Sequence, residues 1–210
     1  MNSTSETSKC RNRLAPFCTG AGVDLGCGGD LIVPFAIGVD LPKPYTKVGE
    51  KSLHLRGDAR HLLWFNDETL DFVFSSHLLE DFCDTKAVLL EWLRVLKIGG
   101  LLVLFLPDEQ VYRKHCNETG QPYNTAHSID GMSLVYIENI LSDIGITVNV
   151  HKTPLVDAYS FEIVARKVKS CPKSLIFQSS AYAMALQKDE LVEQIRRSMT
   201  FRVGRAIMTM

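Results

Sequence analysis

No apolar run in the chain approaches the ~20 residues a membrane-spanning helix requires. A transmembrane segment is therefore not expected. Charge of one sign is also lacking: 23 basic residues stand against 24 acidic ones, for a net charge of -1. That balance gives no global attraction to nucleic acid or to an anionic membrane. The first residues, Met1-Asn2-Ser3-Thr4-Ser5-Glu6-Thr7, carry neither the apolar stretch nor the cleavage site of a secretory signal. The six cysteines (Cys10, Cys18, Cys27, Cys83, Cys116 and Cys171) form no CxxC pair and have no histidines at zinc spacing. Neither a metal site nor a disulfide framework is expected, and reduced thiols fit a cytoplasmic protein.

What is present suits a soluble domain, with 46% hydrophobic and 22% charged residues over 210 positions. The most informative stretch is Gly22-Val23-Asp24-Leu25-Gly26-Cys27-Gly28-Gly29-Asp30. A short apolar strand ends in an acid and breaks into glycines, whose missing Cβ allows a sharp turn and close approach to a ligand. The next strand, Ala36-Ile37-Gly38-Val39-Asp40, also ends in an acid, placed to accept hydrogen bonds from a ribose. Together they predict a nucleoside-containing ligand at the carboxyl edge of a doubly wound sheet.

The rest of the chain alternates strands and helices. Strands are predicted at about 21–25, 36–40, 52–57, 70–75, 101–106, 146–150 and 159–168. One or two turns of helix should fit between the first two, shortened by Pro34. A helix is predicted from Asp84, as N-cap, to Lys97, with Val88, Leu89, Trp92, Leu93, Val95 and Leu96 at helical spacing and Gly99-Gly100 ending it. Segment 107–131 reads as a long polar connection, followed by a helix at 132–144. Residues 1–20 read as a polar extension frayed at its start, 21–168 as the ligand-binding domain, and 169–210 as a partly helical extension with a terminal helix at 186–198. Arg196 to Met208 mixes basic and apolar residues, suited to packing on its own domain, on a dimer mate or on a membrane surface.

These motifs resemble, in order, those of class I S-adenosylmethionine-dependent methyltransferases. Asp24-Leu25-Gly26-Cys27-Gly28 is similar to the family's glycine-rich motif, Val39-Asp40 to its second acid, and Gly57-Asp58-Ala59 to its adenine-side motif. Leu70 to Glu80 is similar to its fourth-strand motif, and Glu91 to Leu104 to the helix–GG–strand signature that follows. The resemblance implies an α/β, Rossmann-like sheet, mostly parallel with an antiparallel last strand, and S-adenosylmethionine as cofactor. It implies that Asp24, Gly26, Cys27 and Gly28 hold the methionine part. Asp40 would take the ribose, Leu41 the adenine face, Asp58 and Ala59 the adenine edge, with Ser75 and Ser76 near the sulfonium. One departure stands out: the interval from Gly28 to Asp40 is shorter than the family's loop plus full helix.

A nicotinamide dinucleotide fold needs a third glycine opening a full helix. Here Asp30-Leu31-Ile32-Val33-Pro34 follows, and a carboxylate at Asp30 would repel a pyrophosphate but tolerate a sulfonium. Methyl transfer asks mainly for alignment of acceptor and methyl, and a hydroxyl or ammonium acceptor also needs a base. The candidates are His77, just past the fourth strand, and His127; Glu80 and Asp81 would either orient His77 or cap the next helix. His54, His61 and His151 read as structural, and Cys27 as a small buried filler. Tyr112, His115, Tyr123, Asn124 and His127 suit a small polar substrate such as a saccharide of a surface glycan, because a connection of about 25 residues is longer than most. A protein or nucleic-acid acceptor is the alternative, though Ser75-Ser76-His77-Leu78 replaces the Asn/Asp-Pro-Pro-aromatic motif of amino-directed nucleic-acid enzymes. A non-catalytic binding module is a third reading, against which the three acids are all present.

Overall fold

A computed structural model describes residues 5–43 and 54–172. Residues 52–53 of the strand expected at 52–57 lie outside the described residues, as do the terminal helix expected at 186–198 and the basic tail. The sheet is built from β1 (Gly22–Leu25), β2 (Ile37–Asp40), β3 (Leu55–Arg56), β4 (Leu70–Ser76), β5 (Leu96–Pro107), β6 (Thr147–Val156) and β7 (Ser160–Lys167). Their order is β3-β2-β1-β4-β5-β7-β6. Pairings from β3 through β5 are parallel, and β7 runs antiparallel to both of its neighbours. The expected fold class is the observed one. The strand order reverses between β1 and β4, and ligands of open α/β sheets bind outside the carboxyl ends of strands at such a point.

The helices are α1 (Glu6–Leu14), α2 (Thr85–Val95), α3 (Glu109–Thr119) and α4 (Leu134–Ile144). Two of them correct the sequence reading. Helix α1 stands where a polar extension was expected: Ser5 caps it by accepting from the Ser8 amide at 3.0 Å, and Cys10 and Leu14 are buried. Few apolar residues suffice, because only one narrow stripe of a short helix meets the core. That stripe packs with Ile32, Val33, Ala36, Phe72, Phe74, Val103, Phe105 and Val164 in one cluster.

Helix α3 occupies the start of the presumed polar connection. Asp108 caps it by accepting from the Val111 amide at 3.2 Å, and Gly120 ends it in the left-handed conformation. Both signals are visible in the sequence. They were obscured because α3 buries Glu109 and Cys116 rather than an aliphatic stripe.

No helix forms between Leu25 and Ile37; the chain runs through turns and bends. The Asp30 amide closes a turn onto the Cys27 carbonyl at 2.8 Å, and the Ile32 amide is drawn back to Asp24 at 2.6 Å. Too few residues remain before Pro34 for a nucleated helical turn. Helix α1 packs instead against this segment and against β4, β5 and β7. Helix α2 ends at Val95 rather than Lys97, and β5 begins at once, with Leu96 paired to Leu70 before a register shift. Gly99 therefore lies inside β5, at φ +90°, and does not cap the helix. The remaining elements differ by small margins: α4 starts at Leu134, capped by Ser133, and β6 runs on to Val156.

Candidate active site

The carboxyl ends of β1, β2 and β4 meet at the glycine turn. Gly26, Gly28 and Gly29 all have positive φ. At Gly26 (φ +71°) an added Cβ would also come within 2.9 Å of the Leu78 side chain, so the turn is pressed against the segment leaving β4. Leu25 pairs with Val39 on one side and Ser75 on the other, and the Gly26 amide donates to the Val39 carbonyl at 2.9 Å.

Parallel partners present side chains to the same face of a sheet. Asp24 shares its face with Gly38 and Phe74, and two residues on, Ser76 pairs with Phe105. Asp24 is 1% exposed; one oxygen accepts from Ile32 and the other, Oδ1, has no partner. Burial pushes its carboxyl well above the usual range, the Ile32 amide and Arg11 opposing and Asp30 and Asp40 adding to the rise. Ser76 Oγ is likewise buried without a partner, whereas Ser75 Oγ donates to the Leu25 carbonyl at 3.2 Å. Asp40 accepts from the Gly28 amide at 2.8 Å and the Leu41 amide at 2.7 Å, tying the second acid directly to the turn. Cys27 is buried and its thiol pushed up to about 12, chiefly by burial, consistent with a filler and not a nucleophile.

The third acid has a partner of its own within the chain. Asp58 is engaged by Arg60 through its amide at 2.8 Å and its guanidinium at 2.9 and 3.0 Å. Partial burial pushes the Asp58 carboxyl up, but these bonds outweigh it and hold the group below its ordinary value. Ala59 is buried, with its carbonyl accepting from Trp92 Nε1 at 2.8 Å, and Leu41 is exposed. Asp30 is paired with Arg11 at 2.6 Å and bonded to Ser5, so its charge is offset by α1. The stronger argument against a dinucleotide is therefore the missing helix after the turn, not repulsion by Asp30.

On the other side of β4 the two candidate histidines come together. His77 adopts φ +48°, unusual for a residue with a side chain, and such strain concentrates at functional sites. Its Nε2 lies 3.1 Å from Ser160 Oγ and 3.5 Å from Glu6, and its Nδ1 lies 3.7 Å from Glu80. Burial lowers it to about 3, helped by Lys9 and His127. Segment 120–133 folds back over the turn Leu79–Asp81, with the Ser128 amide donating to the Glu80 carbonyl at 2.8 Å. This brings His127 Nε2 to 3.8 Å from Glu80, while its Nδ1 bonds Glu109 at 2.9 Å. Glu80 thus faces His77, and Asp84 caps α2 by accepting from Ala87 at 3.0 Å. Tyr112 stacks near Tyr123, His127 and Tyr159, at 5.0 to 5.5 Å between ring centroids, and Lys9 lies over the Tyr159 ring. Of the supposed structural histidines, His54 accepts from the Gly38 amide at 2.9 Å and His151 lies 3.5 Å from Glu162. All six cysteines are free.

Residues 23–104 match the family model described as a methyltransferase domain. The match and the fold support an S-adenosylmethionine-dependent methyltransferase. The matched span begins in β1 and ends in β5, so it covers the glycine turn, the three acids and His77. No curated relative matches by sequence. Among solved structures, an S-adenosylmethionine-dependent methyltransferase from Thermotoga maritima aligns at TM-score 0.58 and 19% identity, covering 79% of this chain and 88% of that one. Another from Archaeoglobus fulgidus aligns at TM-score 0.56 and 18% identity, covering 77% and 92%. The PH0226 protein of Pyrococcus horikoshii aligns at 0.57 and 20%, covering 76% and 88%. At these identities the likeness concerns the fold.

S-adenosylmethionine is the cofactor of this methyltransferase domain, and the residues at the switch point fit it. A buried acid with one unpartnered oxygen, beside a turn whose backbone a Cβ would crowd, suits a ligand that brings its own ammonium and sulfonium charge. Among the described residues, no helix is long and apolar enough to cross a membrane, and no cluster of three metal-ligating side chains occurs.

Proposed function

We propose that the enzyme transfers the methyl group of S-adenosylmethionine to a small polar acceptor carrying a hydroxyl or amine. The observation that supports this most is the meeting of Asp24, Asp40 and the Gly26–Gly29 turn at one point of the sheet, with Asp24 Oδ1 left without a partner. In this reading Asp24 and the turn hold the amino-acid end of the cofactor. Asp40 takes the ribose hydroxyls, and Asp58 and Ala59 face the adenine, with Leu41 against its ring. Ser75 and Ser76 lie at the reacting end. The cofactor supplies a methyl already activated by positive sulfur, so the protein's task is alignment and removal of the acceptor's proton. His77 and His127 are the groups for that removal.

A saccharide is the acceptor class to test first. The stacked rings of Tyr112, Tyr123 and Tyr159 offer apolar faces beside hydroxyl and carboxyl groups, the mixture a sugar ring requires. Pure enzyme incubated with methyl-labelled cofactor and fractionated lysate should label the saccharide fraction. Label found only in protein or nucleic acid would overturn the small-acceptor reading, and label that never leaves the cofactor would overturn catalysis itself. As a check on the cofactor site, Asp40→Ala should weaken S-adenosylmethionine binding by about 1–3 kcal/mol through lost charged hydrogen bonds, measured by calorimetry.

A further inference from the structure

Glu80 is 1% exposed, and its Oε2 has no partner. Its other oxygen lies almost midway between two imidazoles, 3.7 Å from His77 Nδ1 and 3.8 Å from His127 Nε2. Beyond His127 stands Glu109, itself fully buried, with Oε2 on His127 Nδ1 at 2.9 Å and Oε1 held by Arg113 at 2.9 Å and by the Tyr123 hydroxyl. The Glu109 contact assigns the proton of neutral His127 to Nδ1 and turns its Nε2 lone pair toward Glu80. Four groups from four places in the chain are therefore linked in succession: His77 after β4, Glu80 in the turn before α2, His127 in the fold-back segment, and Glu109 at the start of α3.

We propose that Glu80 is a positioning residue that shares one proton between His77 and His127, so that the two histidines and Glu109 handle a proton as a single unit. The inference rests on the methyl-transfer reading only for its purpose. At rest, Glu80 carries the proton; burial drives its carboxyl well above the usual range, and the neighbouring carboxyls Asp81, Glu109 and Glu6 push the same way. When an acceptor gives up a proton, it lodges on His77 Nε2 in place of the Ser160 contact. His77 Nδ1–H then points at Glu80, and Glu80 passes its own proton to His127 Nε2. One proton has entered, no other reactant is needed, and the line reads imidazolium, carboxylate, imidazolium, carboxylate. Without Glu80, a protonated His77 would keep Glu6, 3.5 Å from its Nε2, as its carboxylate neighbour but would lose the one at Nδ1, and burial would disfavour the cation more strongly. The gaps of 3.7 and 3.8 Å are longer than hydrogen bonds, and such contacts commonly tighten when substrate is bound. On reversal the proton leaves through His77, whose side chain remains 13% exposed.

Other charged groups also face this line. Glu6 and Lys9 reach it from α1, Asp81 from the same turn and Arg113 from α3, and the rings of Tyr112 and Tyr159 lie 5.0 Å from His127 and 6.0 Å from His77, respectively, between centroids. The test is therefore coupling between the histidines, not a single midpoint. Full-length protein labelled with ¹⁵N in histidine is titrated from about pH 2.5 to 9, a range that includes the lowered His77 value, following ring-nitrogen shifts. In the wild type, His77 and His127 should show two-step curves sharing the same midpoints, as coupled sites do. Glu80→Gln should separate them into single-step curves with different midpoints. His127→Gln should alter the His77 curve although the two rings are separated by Glu80. Independent one-step curves in the wild type, or unchanged curves in Glu80→Gln, would overturn the proposal. Should Glu80→Gln fail to fold, the shared or unshared midpoints of the wild type decide alone. Calorimetry with S-adenosylmethionine separates the two readings: the Glu80→Gln affinity should stay within twofold of wild type. A wild type that binds no cofactor would sink the methyl-transfer reading and leave the coupled titration standing.

Discussion

Asp24 and Glu80 are both buried carboxyls with one oxygen lacking a partner, yet their surroundings prepare them for different work. Asp24 is held by a backbone amide, sits two residues before the glycine turn, and has Asp40 and Asp30 nearby, and in the proposed reading it takes a cation from outside. Glu80 is placed between two histidines, so its charge can be created or cancelled by a proton moving within the protein. The first region is built mostly from backbone geometry at the ends of β1 and β2. The second is assembled from side chains far apart in sequence. The comparison separates a site that binds charge from one that redistributes it.

The largest effect should come from removing what holds the first region in place. Helix α1 packs on β4, β5 and β7 and on the segment Ile32–Ala36 that replaces a helix after the turn, and Leu14 is fully buried there. Leu14→Ala should cost about 2–5 kcal/mol, the range for large-to-small changes in a packed core. Denaturant unfolding monitored by circular dichroism measures it. A loss below about 0.5 kcal/mol would mean that α1 is an accessory and that the cofactor face is stabilised otherwise.

Next come the opposite pH dependences of the second region. For Glu80 the folded value lies above the unfolded one, so its contribution is full below about pH 4.5 and is lost as pH rises through the folded value. For His77 the folded value, about 3, lies below the unfolded 6.5, so its contribution is full above 6.5 and is lost as pH falls toward 3. Each group can tilt stability by up to about 1.4 kcal/mol per pH unit within its window. His77→Gln should therefore become relatively more stable than wild type as pH drops from 6.5 to 4.5. Glu80→Gln should become relatively more stable as pH rises from 4.5 upward. Melting temperatures across pH 4.5–8 check both signs, and parallel curves for all three proteins would mean that neither group is as desolvated as the structure places it.

How far the two regions could be read in advance follows from the same difference. The glycine turn, Asp24 and Asp40 announce themselves because backbone geometry constrains residue type locally: positive φ asks for glycine at 26 and 28, and a strand end places the acid. Asp58 was recognisable as a motif, but its pairing with Arg60 two residues on was not. The second region hid its organisation. Glu109 was read as part of a polar connection, because a buried glutamate on a helix gives no apolar periodicity. Its importance arises only when residues 120–133 fold back and bring His127 against it. The Asp108 cap and Gly120 were the available signals for α3. Helix α1 went unread for a related reason, since its buried stripe is Thr7, Cys10 and Leu14, with a polar residue at its start.

A smaller effect tests the turn itself. Gly26→Ala forces a side chain into positive φ and to within 2.9 Å of Leu78. The conformational part alone is about 1–2 kcal/mol, and Leu78 can yield only by disturbing the segment that carries His77. Cofactor affinity and thermal stability should fall together. Stability falling with affinity preserved would detach the turn from the cofactor and leave it a purely structural bend.

The smallest effect concerns the acid that the structure occupies with its own arginine. Arg60 engages both oxygens of Asp58, and the two side chains are 34% and 24% exposed, so the pair adds under about 1 kcal/mol to stability. If Asp58 accepts from the adenine amine, that bond competes with Arg60 for the same carboxylate oxygens. Arg60→Ala should then leave the melting temperature within about 2–4 °C and tighten S-adenosylmethionine binding by roughly twofold to fivefold, the gain from removing a competing charged hydrogen bond. Asp58→Asn in the Arg60→Ala background should abolish that gain. Weaker binding in Arg60→Ala would reverse the assignment, making the guanidinium, which also lies 5.8 Å from the Phe82 ring, the adenine-facing group and Asp58 the residue that orients it.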